Sequence, residues 1–392
     1  MGDLIGVVYL GNVNWNYVYN RGQPLAKALA RGGYDVYYLD PGEVKTPPMV
    51  FRGPFGWSLS VCRYRVIRKW LAIDRLWHWA VCSPPNREGD HSADYSPVVR
   101  SDIVKHIRRL RRRYRILILI THRPARMSVV RATHWDRVVL DLDDPLTALP
   151  WGRHPFMHLC LDQASEMCDL ITANGLGIKD YFGGSLGREI VSLPNGIDSD
   201  YLERVRGFKT KRQGGSRPYR IVYTGVINQR MQYGILLNTV KRFSEICFVF
   251  VGPKRVPTEY EQEWLEIEKF PNVEIHPHVD HCELVRFIGE SDALIIPYGT
   301  GNGTEFMLPA KVYEYVAWGK PIFCSRLYPE VSSVSGIFRV YDNESELCSL
   351  LKEEIARGFE VPDSIKKDCS DFLEMNTWDD RSVTLLELLG VS

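Results

Sequence analysis

A glycine-rich segment followed by a short helical pattern carries the residue types best suited to chemistry. The segment runs from Gly299 to Gly303, and Lys311 and Glu314 follow it three residues apart. This spacing places the ammonium and the carboxylate on one face of a helix, where an ordinary ion pair is the alternative interpretation. Loop amides, a helix N-terminus and a lysine together favour an anion such as phosphate. A carboxylate beside them can accept hydrogen bonds from sugar hydroxyls, so the pattern predicts a nucleotide-sugar site.

A second group of candidates closes an apolar strand pattern in the first half of the chain, where Asp141, Asp143 and Asp144 follow one another closely. Strand alternation puts Asp141 and Asp143 on one face and leaves Asp144 at the carboxyl end. There a carboxylate can take a proton from an acceptor hydroxyl or orient that hydroxyl. The alternative is that Asp143 or Asp144 caps the following helix. His122 ends another strand pattern and is a candidate for contact with a sugar or an acceptor, although a lone histidine is more often structural.

Polar and aromatic side chains also follow the first strand pattern, in the loop that begins at Gly11. Asn12 and Asn14 can hydrogen-bond a sugar, and Trp15 can stack on one or, alternatively, pack inward beneath a polar turn. The G-x-G-x-x-G fingerprint of dinucleotide-binding domains does not follow this strand, and the later glycines have the wrong spacing for it. The sequence therefore argues against a nicotinamide-dependent dehydrogenase.

Runs of β-branched residues alternate with longer amphipathic stretches along most of the chain. The predicted strands are Leu4–Leu10, Tyr34–Leu39, Ile116–Thr121, Val138–Leu142, Ile190–Leu193, Arg220–Thr224, Cys247–Val251, Asn272–Ile275, Ala293–Ile296, Pro321–Cys324 and Phe338–Tyr341. The predicted helices are Gln23–Arg31, Ser101–Arg113, Phe156–Met167, Ile235–Phe243, Thr258–Lys269, His281–Glu290 and Pro309–Trp318. This alternation indicates β-α-β units and an α/β class of two Rossmann-like, doubly wound parallel-sheet domains. Their ligands are expected at the carboxyl ends of the strands, in a cleft that the two domains face.

The predicted domain boundary is a polar, glycine-rich linker at residues 206–218 that ends in proline. The first domain then covers residues 1–205 and the second covers 206–375, and a helix at 376–392 can cross back to the first domain. Residues 45–97 interrupt the alternation and are crowded in part with aromatic and basic side chains. We interpret them as a helical insertion that packs on the first sheet or, alternatively, as part of a surface for anionic lipids.

The 392 residues carry a net charge of +1, which hides a basic excess in residues 1–205 and an acidic excess in the remainder. Two domains with different partners are the expected cause, and the basic excess is too modest to indicate nucleic acid. Apolar runs fall short of the roughly 18 residues that span a bilayer, and the first residues do not resemble a secretory signal. Nine cysteines without a C-x-x-C pair predict reduced thiols in the cytoplasm rather than disulfides or a zinc site.

Four motifs, in order along the chain, resemble those of GT-B glycosyltransferases and specifically the bacterial family-four class. They are Leu193-Pro194-Asn195-Gly196-Ile197-Asp198, Tyr223-Thr224-Gly225, Phe250-Val251-Gly252-Pro253 and Pro309-x-Lys311-x-x-Glu314-Tyr315-x-Ala317-x-Gly319-x-Pro321. The resemblance covers nearly the whole chain and implies that the first domain binds the acceptor and the second binds the donor. It implies that Glu314 binds the donor ribose and that the residues before the helix hold the sugar and the diphosphate. The implied donor-binding set is Gly225, Arg230, Gly252, Phe306, Met307, Leu308, Lys311 and Glu314.

Two positions depart from the family pattern. The first glutamate of the family's usual pair falls on Phe306, and Glu305 stands one place early. Either the loop carries an extra residue and Glu305 still faces the sugar, or that contact is lost. Val226 replaces the family's arginine after the first strand of the second domain, so Arg230 is the nearby cation able to serve, unless it is a solvated loop charge. Lys311 then carries more of the diphosphate charge, and the catalytic candidates are Asp143, Asp144, Lys311 and Glu305.

The resemblance implies a glycosyltransferase that moves a sugar from a nucleoside-diphosphate sugar to a hydroxyl acceptor, in cell-surface polysaccharide or glycolipid synthesis. It implies retention and no need for a metal or other cofactor, whereas Asp143 or Asp144 acting as a base would favour inversion. The alternatives are a nucleotide-sugar 2-epimerase of the same fold and a non-catalytic sugar-nucleotide binder. The arginine run at 108–115 is either a solvated helix end or, with the insertion, a surface for an anionic membrane. The expected location is the cytoplasm, including the inner face of the cell membrane for a lipid-linked acceptor.

Overall fold

The computed structural model describes residues 5–11, 15, 20–39, 49–52, 58–62, 101–124, 130, 133–148, 155–208, 218–301 and 303–391. The chain divides into two compact units. The first unit comprises residues 1–195 together with 378–392, and the second comprises residues 196–377. This division lies before the linker predicted at 206–218, because the residues from Gly196 onward pack with the second unit.

The first unit is built, within the described residues, on an eight-stranded sheet. Its strands are β1 (Ile5–Leu10), β2 (Asp35–Leu39), β3 (Met49–Arg52), β4 (Ser58–Cys62), β5 (Ile116–Thr121), β6 (Arg137–Leu142), β7 (Leu170–Ala173) and β8 (Val191–Ser192). They lie in the order β3-β4-β2-β1-β5-β6-β7-β8. All neighbours pair in parallel except β3 and β4, which pair antiparallel at one edge. Strand β1 lies between β2 and β5, so the strand order reverses there.

Helices cover this sheet, and one of them comes from the end of the chain. They are α1 (Gly22–Arg31), α2 (Ser101–Arg113), α3 (Pro155–Met167), α4 (Leu176–Phe182) and the C-terminal helix (Trp378–Leu388). Leu385 and Leu386 of the C-terminal helix are buried in the same apolar core as Leu25 of α1. The Nε of Arg31 in α1 also lies 2.8 Å from a carboxylate oxygen of Asp379. The last helix therefore completes the core of the first unit.

The second unit contains a six-stranded sheet. Its strands are β9 (Tyr219–Thr224), β10 (Ile246–Val251), β11 (Val273–His276), β12 (Ala293–Ile296), β13 (Ile322–Cys324) and β14 (Phe338–Val340). They lie in the order β11-β10-β9-β12-β13-β14, and every pair is parallel. Every residue of β10 is buried, as expected for a parallel strand covered on both faces. The strand order reverses at β9, which lies between β10 and β12.

Helices and tight turns connect these strands. The helices are α5 (Ser199–Gly207), α6 (Tyr233–Arg242), α7 (Glu261–Ile267), α8 (His281–Gly289), α9 (Lys311–Val316), α10 (Glu344–Arg357) and α11 (Asp363–Glu374). Short 3-10 turns occupy Thr258–Tyr260, Thr304–Phe306 and Pro329–Ile337. The bounds of α10 follow from its ends: the Asn343 side chain accepts a hydrogen bond from the Glu346 amide, and Gly358 adopts a left-handed φ of +66°.

The α/β class and the two doubly wound sheets agree with the sequence prediction, and three details correct it. The helical interpretation of residues 45–97 is wrong at 49–52 and 58–62, which are strands, and the rest of that segment lies outside the described residues. Strand β7 was not predicted. Helix α9 is shorter than the predicted Pro309–Trp318, because the residues before Lys311 form a turn. The six cysteines with described side chains are buried free thiols: Cys160, Cys168, Cys247, Cys324, Cys348 and Cys369.

Candidate functional site

Lys311, the first residue of α9, lies against two tyrosines at the carboxyl ends of neighbouring strands in the second unit. Tyr223 is near the end of β9, and Tyr298 follows β12. The Lys311 Nζ donates to the Tyr298 hydroxyl at 2.6 Å and to the Tyr223 hydroxyl at 3.2 Å. It also lies 4.2 Å from the Tyr223 ring centre and 4.8 Å from the Tyr298 ring centre, within cation–π range. The ammonium is therefore held where the strand order reverses, which is the usual ligand position in such sheets.

Two glycines let these groups approach the backbone. Gly225 directly follows β9 with a φ of +130°, and a Cβ there would lie 2.7 Å from the Lys311 Nζ. Gly252 follows β10 with a φ of +148°, and a Cβ there would lie 2.1 Å from the Gly225 carbonyl oxygen. Both backbone conformations are ones that side chains with a Cβ rarely adopt. Glycine is therefore required on steric grounds in the two motifs that follow β9 and β10.

We expect Gly252→Ala to lower the free energy of unfolding by about 2–3 kcal/mol, because the added methyl group overlaps a backbone carbonyl in a strained conformation. Gly234→Ala in the first turn of α6 is the matched control, because nothing lies within 4 Å of the carbon it adds. That change should be neutral or slightly stabilising. Denaturant unfolding of both variants checks the prediction, and equal stabilities would contradict the close approach at Gly252.

Arg230 adds a second positive charge near the same tyrosines. It lies in the loop after β9, and this loop pairs with the loop after β12, where the Gly299 amide donates to the Arg230 carbonyl at 2.7 Å. Burial raises the pKa of the Tyr298 phenol, but the charges of Lys311 and Arg230 and the hydrogen bonds to Lys311 and Tyr223 together lower it by more, so the net shift is below the usual value. We call Lys311, Arg230, Tyr223 and Tyr298 the Lys311 cluster.

Glu305 lies in the 3-10 turn between the glycine-rich loop and α9. Its Oε2 accepts a hydrogen bond from the Gly301 amide at 2.9 Å, so the carboxylate closes the loop on itself. Gly301 and Gly303 make this turn possible with φ values of +104° and +80°. The half-buried carboxylate remains a candidate for sugar contact, and that role is still a prediction.

The three residues after Glu305 connect the turn to α9. The amides of Phe306 and Met307 donate within the turn, at 3.0 and 3.2 Å. The Met307 and Leu308 side chains are buried, so a ligand contact at these positions would involve the backbone. Because α9 has only six residues, its N-terminal dipole is weaker than that of the predicted longer helix, and charged side chains matter more for binding an anion.

Glu314 lies one turn after Lys311 on the same helix and is half-buried. Burial is the main cause that raises the pKa of the Tyr201 phenol, and the Glu314 charge is the second. The Glu314 carboxylate therefore lies near the Tyr201 ring. Tyr315, the next residue, accepts a hydrogen bond from the Thr224 amide at 2.8 Å and so ties α9 to the end of β9. The helix therefore carries Glu314 one turn after Lys311, and its contact with ribose stays a prediction.

In the first unit, Asp141 is the centre of a buried hydrogen-bond network that the sequence did not predict. Its carboxylate accepts from the Arg21 Nε at 2.8 Å, from a terminal Arg21 nitrogen at 2.9 Å and from the Thr172 hydroxyl at 2.7 Å. Burial raises the pKa of Asp141, but the Arg21 guanidinium, His122 and the Thr172 hydroxyl together lower it by more, so the group stays ionised. Arg21 also donates to the Leu193 carbonyl at 2.8 Å and to the Asn195 side chain at 3.2 Å. Asp141 therefore has a structural role.

His122 is fully buried beside this network. Its Nδ1 lies 2.9 Å from the Asp141 carbonyl oxygen, and its Nε2 lies 2.6 Å from the Tyr9 hydroxyl. A carbonyl can only accept, so Nδ1 carries the proton and Nε2 accepts from Tyr9 in the neutral ring. The direct contact with an acceptor that the sequence predicted does not fit a side chain with 0% exposure. The ring can instead orient its neighbours.

Asp143 reaches the surface beside His122. Its side chain is 11% exposed, and its Oδ2 lies 3.8 Å from the His122 Nδ1. Burial raises the pKa of Asp143, His122 opposes the rise and Asp144 adds to it, so the net shift is above the usual value. The Asp144 carbonyl accepts from the Leu146 amide at 2.8 Å in the turn that follows. The alternative that Asp143 or Asp144 caps the following helix is wrong for α3, because that helix begins only at Pro155.

The first loop is described only in part. Trp15 is partly buried, with its ring 5.0 Å from that of Tyr38 at an interplanar angle of 74°, and it packs against the core of the first unit. This packing agrees with the inward alternative for Trp15. Asn12 and Asn14 lie outside the described residues, so their acceptor role stays a prediction.

The arginine run ends α2 and continues to β5. Arg111 forms an ion pair with Asp136, and the Arg113 guanidinium lies 3.6 Å from the Asp35 carboxylate. The exposed members are Arg108, Arg109, Arg112, Arg113 and Arg115. Trp57, Trp70, Trp77 and Trp79 of the insertion lie outside the described part of the chain. Within that part, no helix is both long and apolar enough to cross a membrane, and no group of three or more His, Cys, Asp or Glu residues is placed to hold a metal ion.

Comparisons with known proteins find structural neighbours over nearly the whole chain. No family model and no curated protein sequence matches it. A UDP-forming α,α-trehalose-phosphate synthase from Burkholderia xenovorans matches with a TM-score of 0.67 and 12% identity, covering 99% of both chains. Sucrose-phosphate synthase from Thermosynechococcus elongatus matches with a TM-score of 0.69 and 11% identity, covering 98% of both chains. An E. coli structure described as trehalose-6-phosphate bound with UDP-2-fluoro glucose matches with a TM-score of 0.65 and 12% identity, covering 99% of both chains.

At these identities the likeness shows the fold. Two parallel-sheet α/β domains in one chain are the GT-B architecture, so the fold that the sequence motifs indicated is confirmed. The similarity to glycosyltransferases, first indicated by short motifs, thus extends to the structure of the whole chain.

Proposed function

We propose that the protein is a glycosyltransferase that moves a sugar from a nucleoside-diphosphate sugar to a hydroxyl acceptor. The observation that supports this most strongly is the Lys311 cluster, where the Lys311 ammonium contacts two buried hydroxyls at the carboxyl ends of β9 and β12 and the Arg230 charge acts on the same two phenols. Doubly wound sheets bind nucleotides at such strand ends. Gly225 and Gly252 keep the backbone there free of side chains, so a diphosphate can approach it closely.

The proposed donor chemistry depends on the charge of the leaving group. When the bond between the sugar and the diphosphate breaks, its electron pair stays with the diphosphate. Lys311 is held in place by the two tyrosines before the reaction, and Arg230 adds its charge beside them, so both stabilise this developing charge more than they stabilise the bound substrate. Glu314 would accept hydrogen bonds from the ribose hydroxyls. Because protein cations supply the charge, we expect transfer to persist in the presence of EDTA.

On the acceptor side, Asp143 is the proposed group in contact with the attacking hydroxyl. A carboxylate with a raised pKa is a better proton acceptor than an ordinary aspartate, and the Asp143 side chain is partly exposed. With retention, which the family resemblance implies, Asp143 orients the acceptor hydroxyl. With inversion, Asp143 takes the hydroxyl proton as the oxygen attacks the anomeric carbon. The anomeric configuration of the product, read by NMR, separates the two, and we expect retention.

The structural neighbours suggest which substrates to test first. One neighbour is named as UDP-forming, and another holds UDP-2-fluoro glucose. UDP-glucose therefore heads a donor panel that also contains GDP-, dTDP- and ADP-sugars. The acceptor panel contains sugar phosphates together with the polysaccharide and glycolipid acceptors that the family resemblance favours. The glycolipid acceptors are supplied as membrane lipid extract.

The experiment measures nucleoside diphosphate release over this panel, with and without acceptor. Release that depends on an acceptor, together with a new glycoside, supports transfer. Epimerisation or hydrolysis of the donor with no effect of any acceptor would favour the alternative, a nucleotide-sugar 2-epimerase. Nucleotide binding with no turnover would favour a non-catalytic binder.

We also propose that the exposed arginines of α2 contact an anionic membrane that presents the acceptor. Attraction to such a surface is worth about 1 kcal/mol per arginine and is screened by salt. Replacing Arg109, Arg112 and Arg113 by Ser should therefore weaken co-sedimentation with phosphatidylglycerol vesicles at low salt. Replacing Lys241 and Arg242, which are exposed at the end of α6 in the second unit, should not. Equal partitioning onto neutral and anionic vesicles would contradict this proposal.

A further inference from the structure

Tyr298 lies beside the two positive charges of the Lys311 cluster, and the proposed reaction assigns it no role. Its hydroxyl accepts a hydrogen bond from the Lys311 ammonium at 2.6 Å, and the Arg230 charge also acts on it. The backbone fixes the ring in place: the Tyr298 amide donates to the Ile296 carbonyl at 2.9 Å, and the Ser325 hydroxyl donates to the Tyr298 carbonyl. The side chain is only 6% exposed. The phenol is thus rigidly held against the lysine that the diphosphate requires.

The ammonium of a lysine has three N–H donors, and two of those of Lys311 are directed at the hydroxyls of Tyr298 and Tyr223. The third can be donated to an oxygen of the diphosphate. A neutral Tyr298 accepts from Lys311 and keeps its own O–H. Its hydroxyl oxygen lies 3.4 Å from the Tyr223 hydroxyl, and its proton can be donated to that oxygen or to the same anion. An ionised Tyr298 can only accept, and its negative charge would repel the diphosphate and compensate the lysine.

We propose that Tyr298 is a positioning residue for Lys311 and that only its neutral form is compatible with a bound diphosphate. This inference rests on the proposed function of the Lys311 cluster. Diphosphate binding then requires that the phenol keep its proton. Ionisation of the phenol releases that proton to solvent and prevents the diphosphate from binding. Tyr298 therefore sets an upper pH limit for donor binding.

The surroundings explain why Tyr298 would ionise before its neighbours. The charged and titratable groups that act on it are Lys311, Arg230, Tyr223, Tyr315 and Tyr328. Burial raises the pKa of the phenols of Tyr223, Tyr315 and Tyr328 well above the usual value, so these three stay neutral over the range in question. At Tyr298 alone among these phenols, the two cations and the hydrogen bonds to Lys311 and Tyr223 together overcome the effect of burial and shift the pKa downward.

The sign of the pH effect follows from linkage. The free protein loses the Tyr298 proton as pH rises through the lowered pKa, whereas the diphosphate-bound protein holds it to higher pH. Affinity should then fall about tenfold per pH unit above the pKa of the free phenol. Below that pKa the phenol is neutral in both states, and affinity should not depend on it.

The test titrates UDP, and inorganic pyrophosphate as a probe without a base, into the protein by calorimetry between neutral and alkaline pH. The variants are Tyr298→Phe, Tyr223→Phe and, as a matched buried control, Tyr341→Phe, whose hydroxyl bonds to Gln232 at 3.0 Å. Tyr298→Phe should bind UDP about tenfold more weakly at neutral pH, since a charge-assisted hydrogen bond is lost. It should also lose most of the alkaline decline. Tyr223→Phe removes the longer contact to Lys311 and the 3.4 Å contact to the Tyr298 hydroxyl, but it keeps the bond between Lys311 and Tyr298. Tyr341→Phe leaves all three contacts in place, so both variants should keep the decline.

A second measurement follows tyrosinate absorbance during an alkaline titration. The wild type should show an early ionisation step that is absent in Tyr298→Phe, present in Tyr341→Phe, and displaced to higher pH by UDP. An unchanged pH slope in Tyr298→Phe, or the same loss of slope in Tyr341→Phe, would overturn this inference and leave the proposed function intact. Failure of the wild type to bind UDP, GDP, dTDP, ADP or pyrophosphate would overturn both.

Discussion

Lys311→Met should lower kcat/KM for the nucleotide-sugar donor by about 10²–10³-fold, which corresponds to about 2.7–4 kcal/mol of lost transition-state stabilisation. Methionine keeps most of the aliphatic stem of the lysine and removes its charge. The loss should fall mainly on kcat, because the charge on the diphosphate is greatest as the glycosidic bond breaks. Steady-state kinetics, with nucleoside diphosphate affinity measured separately by calorimetry, checks this division.

The control for Lys311→Met is Lys241→Met, which changes an exposed lysine of α6 in the same unit. Lys241→Met should retain wild-type kinetics, and both variants should retain the wild-type melting temperature within a few degrees. A Lys311→Met protein with unchanged kcat/KM would remove Lys311 from the active site. Full loss of activity with a large drop in melting temperature would instead indicate that the contacts of Lys311 with Tyr223 and Tyr298 stabilise the fold.

Asp143→Asn should lower the rate of transfer to the acceptor by about 10²–10⁴-fold, the usual contribution of a positioned acid or base. The amide keeps the size of the side chain, but it is neutral, so it cannot accept a proton from the hydroxyl and orients that hydroxyl less strongly than a carboxylate does. Slow hydrolysis of the donor should persist, because water does not need the acceptor contact. Assays of transfer and hydrolysis on the same preparation check the prediction.

The pH dependence adds a second criterion for Asp143. Because burial raises its pKa, the ionised form is lost as pH falls through a value above the usual aspartate range. The rate of transfer by the wild type should therefore begin to fall at a higher pH than it would if the residue were an exposed aspartate. The Asp143→Asn variant should not show this acidic decline. Asp144→Asn is the matched neighbour and should have the smaller effect. Equal losses of transfer and hydrolysis in both variants would contradict an acceptor role.

Much of the fold was predictable because the strands have strong local signals. Ile116–Ile120 is an unbroken apolar run, and the structure places β5 on Ile116–Thr121. Strand β7 was missed because Leu170–Ala173 is a short run that directly follows a helix. The strand at 49–52 was missed because it is only four residues long and contains Phe51 and Arg52. The strand at 58–62 alternates polar and apolar residues, but over only five positions within a segment crowded with aromatic and basic side chains. They pair with each other, and β4 also pairs with β2, so their formation depends on the rest of the sheet.

The candidate site was less predictable, because its contacts join distant positions. The spacing of Lys311 and Glu314 indicated an anion site, but nothing local showed that Lys311 bonds to Tyr223, since 88 residues separate the two. Arg21 is likewise 120 residues from Asp141, and nothing in its neighbourhood in the chain marks it as buried. A usable signal was present at Tyr298: a tyrosine directly after a buried strand, at the carboxyl end, is well placed to contact a ligand.

The central claim is that a nucleotide binds the second unit at the carboxyl ends of β9 and β12. Hydrogen–deuterium exchange with and without saturating UDP tests it most directly, with GDP, dTDP and ADP in parallel. We expect slower exchange at residues 223–230 and 298–314 with at least one of the four nucleotides, and loss of that protection in Lys311→Met. Protection confined to the first unit, or no protection by any of the four, would contradict the claim.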